Sequence, residues 1–238
     1  AAARGAAETI ERYPENAPER LSEKIAEGFS LDPSRIVCGF GSDDLLARFA
    51  SAYLSPGDEL IYSVNGFPKY PNYAHANDAR PVAAPDNKFR ADIDAILRCV
   101  TDRTRVVMFA NPDNPTGSYI SGQEVQQLRE GLPKHVLLVV DSAYAEYAEA
   151  PDYELATTLV EKHDNVVMTR TFSKIFGMAG LRVGWLYGSP DVVDVINRIG
   201  ISFPISGPAL AAATAALDDK AHVKHVFEHN LAWRQWFC

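Results

Sequence analysis

The stretch Thr104-Arg-Val-Val-Met-Phe-Ala110 decides the fold, and the loop Asn111-Pro-Asp-Asn-Pro-Thr-Gly117 follows it directly. Two similar apolar runs, rich in β-branched residues, lie at 135–140 and 165–168. The three runs are separated by helical segments at 122–130 and 155–162. Continuous apolar strands that alternate with helices are typical of a parallel sheet covered on both faces. The sequence therefore predicts an α/β fold built on such a sheet.

Shorter segments on either side complete the predicted sheet and its helices. Four further strands are expected, which gives about seven in all: 35–40, 59–63, 81–84 and 181–187. Apolar residues at helical spacing indicate helices at 21–29, 44–53, 190–199, 208–217 and 222–237. The opening run is helical to about Arg12, and Pro14 and Pro18 make the connector after it extended.

These elements indicate three regions along the chain. Residues 1–20 form an N-terminal helix and connector, 21–207 a large domain, and 208–238 the helical start of a small C-terminal domain. The last helix runs to the end without a cap or a following strand, so we expect this small domain to be truncated. The 238 residues, 47% of them hydrophobic, suffice for one large α/β domain and a fragment of another.

Composition excludes several classes of function. The chain has 23 Lys and Arg against 31 Asp and Glu, a net charge of -8, and no basic stripe that could neutralise a phosphate backbone, so no nucleic-acid partner is expected. Three widely separated cysteines, without CxxC or Cys/His ligand spacing, predict free thiols and no metal site. No apolar stretch reaches the roughly 18 residues of a membrane span, and no signal pattern opens the chain. We therefore expect a cytoplasmic protein with no membrane association.

Polar residues follow four of the predicted strands at their carboxyl ends. They are Gly41-Ser42-Asp43, the loop 111–117, Asp141-Ser-Ala-Tyr144 and Thr171-Phe-Ser-Lys174. Ligands of doubly wound sheets bind outside the carboxyl ends of the strands. We therefore expect these four points to converge on one ligand.

Lys174 and Asp141 are the two charged groups whose positions need an explanation. A lysine at a buried sheet edge is costly unless it is neutralised or used covalently, although taken alone Lys174 would more often be a surface residue. Asp141 ends an apolar strand, where an ionised carboxylate needs a cationic partner, or it caps a following helix. A ligand with a pyridinium nitrogen and an aldehyde would use both residues, and pyridoxal phosphate is such a ligand.

The remaining parts of that cofactor also have candidate partners. Backbone N–H groups of Gly41-Ser42-Asp43 at a helix N-terminus, the hydroxyls of Thr171 and Ser173, and the guanidinium of Arg182 could hold a phosphate. Asn114 and Tyr144 could reach the phenolic oxygen, and Phe67 could stack on the ring. Each has an ordinary alternative, since Asn-Pro and Gly-Ser turns are common, Arg182 could pair with a surface carboxylate, and Phe67 and Tyr144 could be core aromatics.

Taken together, the motifs resemble those of the fold-type I pyridoxal-phosphate enzymes, the aspartate aminotransferase superfamily, and within it most closely the histidinol-phosphate aminotransferases. The resemblance rests on Asn111-Pro-Asp-Asn-Pro-Thr-Gly117, Asp141-Ser-Ala-Tyr144 and Thr171-Phe-Ser-Lys174-Ile-Phe-Gly-Met-Ala-Gly-Leu-Arg182-Val-Gly184, in the family's order and at its spacing. It extends over essentially the whole chain. It implies the fold-type I architecture, with a mostly parallel seven-stranded sheet in the large domain.

The resemblance also implies a role for each candidate residue. Lys174 would bind pyridoxal 5'-phosphate covalently and move a proton between the substrate Cα and the cofactor C4′, while Asp141 pairs with the pyridine nitrogen. Asn114 and Tyr144 would bind the phenolic oxygen, and Phe67 would stack on the ring where the family often has tyrosine. The phosphate would be surrounded by Gly41, Ser42, Asp43, Thr171, Ser173 and Arg182.

Substrate and assembly follow only from the resemblance. Tyr13, in Arg12-Tyr-Pro-Glu15, is similar to a tyrosine that histidinol-phosphate aminotransferases contribute across a homodimer to the partner's site. The implied reaction is transamination between histidinol phosphate and 2-oxoglutarate. An aromatic aminotransferase, a threonine-phosphate decarboxylase and a non-catalytic pyridoxal-phosphate module of a regulator remain open alternatives, as does an inactive fragment.

Overall fold

The computed structural model describes residues 1–14 and 18–237, so residues 15–17 of the predicted connector and Cys238 lie outside the described residues. One seven-stranded sheet forms the centre, in the order β1-β7-β6-β5-β4-β2-β3. Its strands are β1 (Ile36–Gly39), β2 (Glu59–Ser63), β3 (Arg80–Ala84), β4 (Thr104–Ala110), β5 (Leu137–Asp141), β6 (Val166–Thr171) and β7 (Gly184–Tyr187). The predicted α/β class and the seven strands are confirmed.

Strand direction determines which loops meet at each edge of the sheet. Five adjacent strands are parallel to one another: β3, β2, β4, β5 and β6. β7 is antiparallel to both of its neighbours, β6 and β1. Since β1 is reversed relative to β7, it runs in the same direction as β6. The carboxyl ends of β1, β4, β5 and β6 therefore lie at one edge, as the sequence predicted.

Ten α-helices surround the sheet in the described part of the chain. They are α1 (Ala2–Ala6), α2 (Glu19–Phe29), α3 (Gly41–Tyr53), α4 (Tyr70–His75), α5 (Ile93–Arg98), α6 (Gly122–Gly131), α7 (Thr157–Lys162), α8 (Pro190–Arg198), α9 (Gly207–Asp218) and α10 (Lys220–Phe237). No helix within residues 1–14 and 18–237 is both long and apolar enough to cross a membrane.

Several predicted boundaries are wrong. The first α-helix ends at Ala6 and continues only as a 3-10 turn to Thr9 instead of reaching Arg12. α3 begins at Gly41, three residues before the predicted start, so Gly41-Ser42-Asp43 is its first turn. The last strand begins at Gly184 because a 3-10 turn and a left-handed Arg182 (φ 53°) precede it. The short helices α4 and α5 were not predicted.

Alternating side chains on the central strands build a core on each face of the sheet. On β4, Val106 and Met108 face α3, α4 and α8, whereas Val107 and Phe109 face α2, α5, α6, α7 and α9. All four side chains are essentially inaccessible to solvent. Burying an apolar side chain of this kind contributes about 1.5–3 kcal/mol, so both faces of the sheet contribute to stability.

Side-chain caps begin several helices, but α3 begins differently. Ser121 and Glu124 form a reciprocal capping box at α6, and Ser189 and Ser206 accept N–H groups at the starts of α8 and α9. The residue before α3 is Phe40, which has no side-chain oxygen to accept the helix's first N–H groups. These donors are available to an external acceptor at the functional edge of the sheet.

Candidate active site

A cavity of about 290 Å³ lies at the edge of the sheet where the four strand ends meet. Ten of the twelve predicted site residues line it: Ser42, Asp43, Phe67, Asn114, Asp141, Tyr144, Thr171, Ser173, Lys174 and Arg182. Gly41 and Tyr13 do not line it. The lining also includes five residues that the sequence did not single out: Leu46, Lys69, Ala110, Ala143 and Ala179.

Asp141 is the most deeply buried ionisable group of this cavity. It is the last residue of β5 and is 5% exposed. Its carboxylate accepts hydrogen bonds from the hydroxyls of Thr169, at 3.1 Å, and Tyr70, at 3.3 Å. Burial raises the pKa of Asp141 to about 6, against the opposing effects of these two bonds, a backbone N–H and the charge of Lys174. A cation placed beside Asp141 would therefore be strongly favoured.

The alternative role of Asp141 as a helix cap is wrong. The next helical turn, Ala145–Tyr147, has Tyr144 at its cap position and makes no side-chain cap bond. Asp141 instead completes the strand ladder, opposite Ala110 on β4 and Thr169 on β6. Helix capping therefore does not explain the burial of its carboxylate.

Lys174 reaches the cavity because its neighbours are anchored in the core. Phe172 and Ile175 are fully buried on either side of it. The turn closes with the N–H of Gly177 donating to the carbonyl of Lys174 at 2.9 Å, and Gly177 has the positive φ of 67° that this turn requires. The half-buried Lys174 ammonium lies 5.0 Å from the centroid of the Tyr144 ring. Lys174 and Tyr144, which the sequence predicted to bind the same ligand, are thus adjacent.

The loop that carries Asn114 is held by its own hydrogen bonds. The amide of Asn111 donates to the carbonyl of Ile120 and accepts from its N–H, both at 3.0 Å. The backbone N–H of Asp113 donates to the carbonyl of Ser118. Burial raises the pKa of Asp113 to about 6, and its Oδ1 is buried without a hydrogen-bond partner. These contacts fix the direction in which Asn114 enters the cavity.

The first turn of α3, the start of β7 and Arg182 form a compact cradle. Gly41 has φ 83°, and a Cβ there would lie 2.5 Å from the Arg182 guanidinium. A Cβ on Gly184 would lie 2.2 Å from the backbone nitrogen of Ser42. Arg182 donates to the Ser173 hydroxyl at 3.3 Å, and the Ser173 N–H donates to the Thr171 hydroxyl at 3.1 Å. Helix N–H groups, two hydroxyls and a guanidinium therefore converge, which is the donor set that binds a phosphate.

Phe67 and Tyr13 have different positions relative to this cavity. Phe67 lines it, half-buried, and packs edge-on against Tyr70 with 5.4 Å between ring centroids. Tyr13 is 82% exposed and stacks on Phe203 with centroids 4.5 Å apart. The structure of one chain does not bring Tyr13 to the cavity of that chain.

A second cavity, of about 580 Å³, adjoins the first and shares Asn114, Tyr144 and Lys174 with it. Its other lining residues include Tyr119, Tyr147, Glu149, Asn230 and Arg234. Arg234 of α10 lies 2.5 Å from the Glu149 carboxylate. A ligand joined to Lys174 could thus extend into a space with aromatic walls and a charged rim.

Tyr70 and Thr169 are the polar partners that sequence reasoning missed. Thr169 could have been found by pairing β5 with β6 in register, because it lies directly opposite Asp141. Tyr70 follows Phe67 by one helical turn, on the unpredicted helix α4. Across residues 1–14 and 18–237, no group of three or more His, Cys, Asp or Glu side chains could hold a metal ion.

The residues present fit pyridoxal phosphate. The buried Asp141 provides an anion for a ring nitrogen, Lys174 provides an amine, and the cradle provides a set of phosphate donors in the lining of the same cavity. This arrangement needs no side chain to be moved from another part of the fold.

The known proteins that the chain resembles are aminotransferases. Residues 1–235 match the family model described as aminotransferase class I and II. The chain is 48% identical over 234 residues to a histidinol-phosphate aminotransferase of Rhodopseudomonas palustris strain TIE-1, covering 98% of this chain and 64% of the relative. It is 49% identical over 238 residues to the enzyme of that name from Dinoroseobacter shibae, covering 100% and 65%. The chain thus spans just under two thirds of the length of these relatives.

Solved structures agree with the sequence matches. The histidinol-phosphate aminotransferase from Sinorhizobium meliloti in complex with pyridoxal-5'-phosphate superposes with a TM-score of 0.93 at 31% identity, over 98% of this chain and 64% of that one. The aromatic aminotransferase from Pyrococcus horikoshii superposes with a TM-score of 0.86 at 25% identity, over 98% and 67%.

The raised pKa of Asp141 predicts a pH dependence of stability in protein dialysed free of cofactor. A carboxyl whose folded pKa is raised contributes fully below its ordinary value of 3.8, and this contribution is lost as the pH rises through about 6. Asp141→Asn should abolish this loss, of which about 2 kcal/mol falls between pH 4.5 and pH 7. Urea unfolding at pH 4.5 and pH 7 measures it, with Asp194→Asn as the exposed control. If the free energy of unfolding depends on pH equally in the parent and in Asp141→Asn, the pKa of Asp141 is not raised in the folded protein.

Proposed function

The chain belongs to the class I and II aminotransferases, and from this premise we propose that it is a pyridoxal-phosphate-dependent enzyme that transfers the amino group of histidinol phosphate to 2-oxoglutarate. The observation that carries the proposal is that Lys174, the buried Asp141 and the residues of the phosphate cradle line one cavity. The relatives named above support the choice of amino donor.

Each cavity residue has a task in this reaction. Bound pyridoxal phosphate supplies an electron sink next to the donor's amino group. Asp141 keeps the proton on the pyridine nitrogen, while Thr169 and Tyr70 hold its carboxylate in place. Lys174 would hold the cofactor covalently until the donor's amine takes its place. The released amine of Lys174 would then be free to accept the proton from Cα of the donor and to return it at C4′.

The other residues orient the cofactor. Asn114 and Tyr144 donate to the phenolic oxygen, and Phe67 covers one face of the ring. The phosphate is held by the N–H groups of Ser42 and Asp43 in the first turn of α3, and by Thr171, Ser173 and Arg182. The positive φ of Gly41 allows the backbone turn at which α3 begins. The adjoining cavity beside Tyr119 and Tyr147 receives the rest of the amino donor.

Assembly and location complete the proposal. The protein acts as a cytoplasmic homodimer, in which Tyr13 of one subunit contributes to the substrate site of its partner. The 82% exposure of Tyr13, and its position outside its own subunit's cavity, support an action in trans. The region from residue 208 onward is the start of the small domain, as the sequence suggested.

The cofactor assignment predicts an absorption band. Purified protein with added pyridoxal phosphate should absorb in the near-ultraviolet or visible range above the spectrum of the free compound, because the cofactor is bound covalently. Lys174→Ala should lack this band, whereas Lys162→Ala, a lysine on α7 outside the cavity, should keep it. If the spectrum of the mixture equals the sum of the spectra of the protein and the free compound, the cofactor assignment is wrong.

The substrate assignment predicts a rank order of amino donors. In a single turnover of protein loaded with pyridoxal phosphate, histidinol phosphate should discharge the band about a hundredfold faster than phenylalanine. Stopped-flow absorbance measures both rates, with glutamate as the expected donor of the second half-reaction. Faster conversion by phenylalanine would favour the aromatic aminotransferase alternative and contradict the substrate proposal.

Action of Tyr13 in trans predicts complementation between two inactive variants. A mixture of equal amounts of Tyr13→Ala and Lys174→Ala subunits, dissociated and reassembled together, should recover about a quarter of the parent activity, since half of the dimers are mixed and each has one intact site. Transamination assays of each variant alone provide the baseline. Activity in the mixture no higher than this baseline would place Tyr13 outside the neighbouring site.

A further inference from the structure

The first turn of α3 carries two carboxylates, Asp43 and Asp44, at the helix end where the proposed function requires a phosphate group. Acidic residues are favourable at a helix N-terminus when nothing else binds there. Beside a phosphate they are unfavourable, because they repel its charge and can also turn to accept the same N–H groups. The structure must therefore keep both carboxylates away from the phosphate position.

Asp44 is kept away by its contacts within α3. Its carboxylate accepts the backbone N–H of Phe40 at 3.0 Å and pairs with Arg48, one helical turn further on, at 2.5 and 2.9 Å. Asp44 does not line the cavity. Its charge is thus neutralised within the helix.

Asp43 does line the cavity, and its partners come from a different element. Lys69, the residue that precedes α4, places its ammonium 2.7 Å from Oδ2, and the hydroxyl of Tyr73 on α4 donates to Oδ1. Burial acts to raise the pKa of Asp43, but the two hydrogen bonds and the charges of Lys69 and Arg182 outweigh it and lower the pKa. Asp43 is therefore an anion whose two oxygens are both engaged on the α4 side.

Lys69 differs from an ordinary surface lysine in its position. It lines the same cavity as Ser42, Arg182 and Lys174, although its side chain is 50% exposed. An isolated pair with this exposure adds little to stability. The effect of Lys69 on a bound phosphate dianion is larger, because Lys69 offsets the repulsion between Asp43 and the phosphate and adds a positive charge beside it.

We propose that Lys69 is a positioning residue for the cofactor phosphate, which neutralises Asp43 and holds its carboxylate against α4 so that the first N–H groups of α3 remain available. The inference rests on the proposed function, since it assumes that a phosphate binds at this helix end. Lys69 acts through Asp43 and on the phosphate, and takes no part in moving the proton.

The test compares two ligands that differ only in the phosphate. Pyridoxal phosphate and pyridoxal are titrated into cofactor-free protein, and the dissociation constant of each is read from the absorption band. Lys69→Met should weaken the binding of pyridoxal phosphate about tenfold and leave the binding of pyridoxal unchanged. Lys69→Arg should bind both ligands like the parent. Lys24→Met removes a paired lysine outside the cavity and serves as the matched control.

A second substitution tests whether Lys69 acts through Asp43. Adding Asp43→Asn to Lys69→Met should restore most of the affinity for pyridoxal phosphate, because the carboxylate that Lys69 neutralises is then absent. The proposal is overturned if Lys69→Met binds pyridoxal phosphate like the parent, if it weakens both ligands equally, or if Asp43→Asn restores nothing. A parent that forms a band with neither compound contradicts the cofactor assignment itself, which is a different outcome.

Discussion

A carboxylate buried at the end of a central parallel strand is the constraint on which the site depends. Asp141 has lost most of its hydration, and the hydroxyls of Thr169 and Tyr70 compensate for only part of that loss, so the pKa of the carboxyl is raised. The group is held there by the strand ladder, which gives it no freedom to reach water. A ligand that brings a positive charge to this place gains the interaction that the folded protein does not complete.

The other functional groups follow from the direction of the strands. Because β1, β4, β5 and β6 all end at the same edge, residues that are far apart in sequence reach one cavity of about 290 Å³ without long loops. α3 begins at the same edge without a side-chain cap, and its first N–H groups form part of the cradle. The anion that can bind a cation, Asp141, and the donors that can bind an anion thus line one cavity.

Sequence reasoning recovered the elements whose signal is local. The strands at Thr104–Ala110 and Glu59–Ser63 have the predicted bounds, because each contains a continuous apolar segment, 106–110 and 60–62, and lies between clear turn residues. Ten predicted residues line the cavity because each immediately follows a strand or belongs to one motif. Tyr70, Thr169 and Lys69 were missed because their roles depend on strand register and on α4, a six-residue helix too short for periodicity to reveal. The start of α3 was placed late because Gly41 interrupts the apolar pattern, although its positive φ is what allows the turn.

Because β7 is antiparallel to β6, the Lys174 amine and the Arg182 guanidinium lie on one short segment of backbone between these strands. After β6 the chain passes Lys174, makes a turn, reaches Arg182 and re-enters the sheet at Gly184 on the same edge. An insertion or deletion between Thr171 and Gly184 would therefore displace the amine and the guanidinium together, and would also shift Gly184 away from Ser42, which it approaches too closely for any side chain. The length of this segment is consequently constrained, because it must present the amine and the guanidinium to the same cavity. In the described part of the chain, the loops at the opposite edge of the sheet contribute no residue to the lining of this cavity.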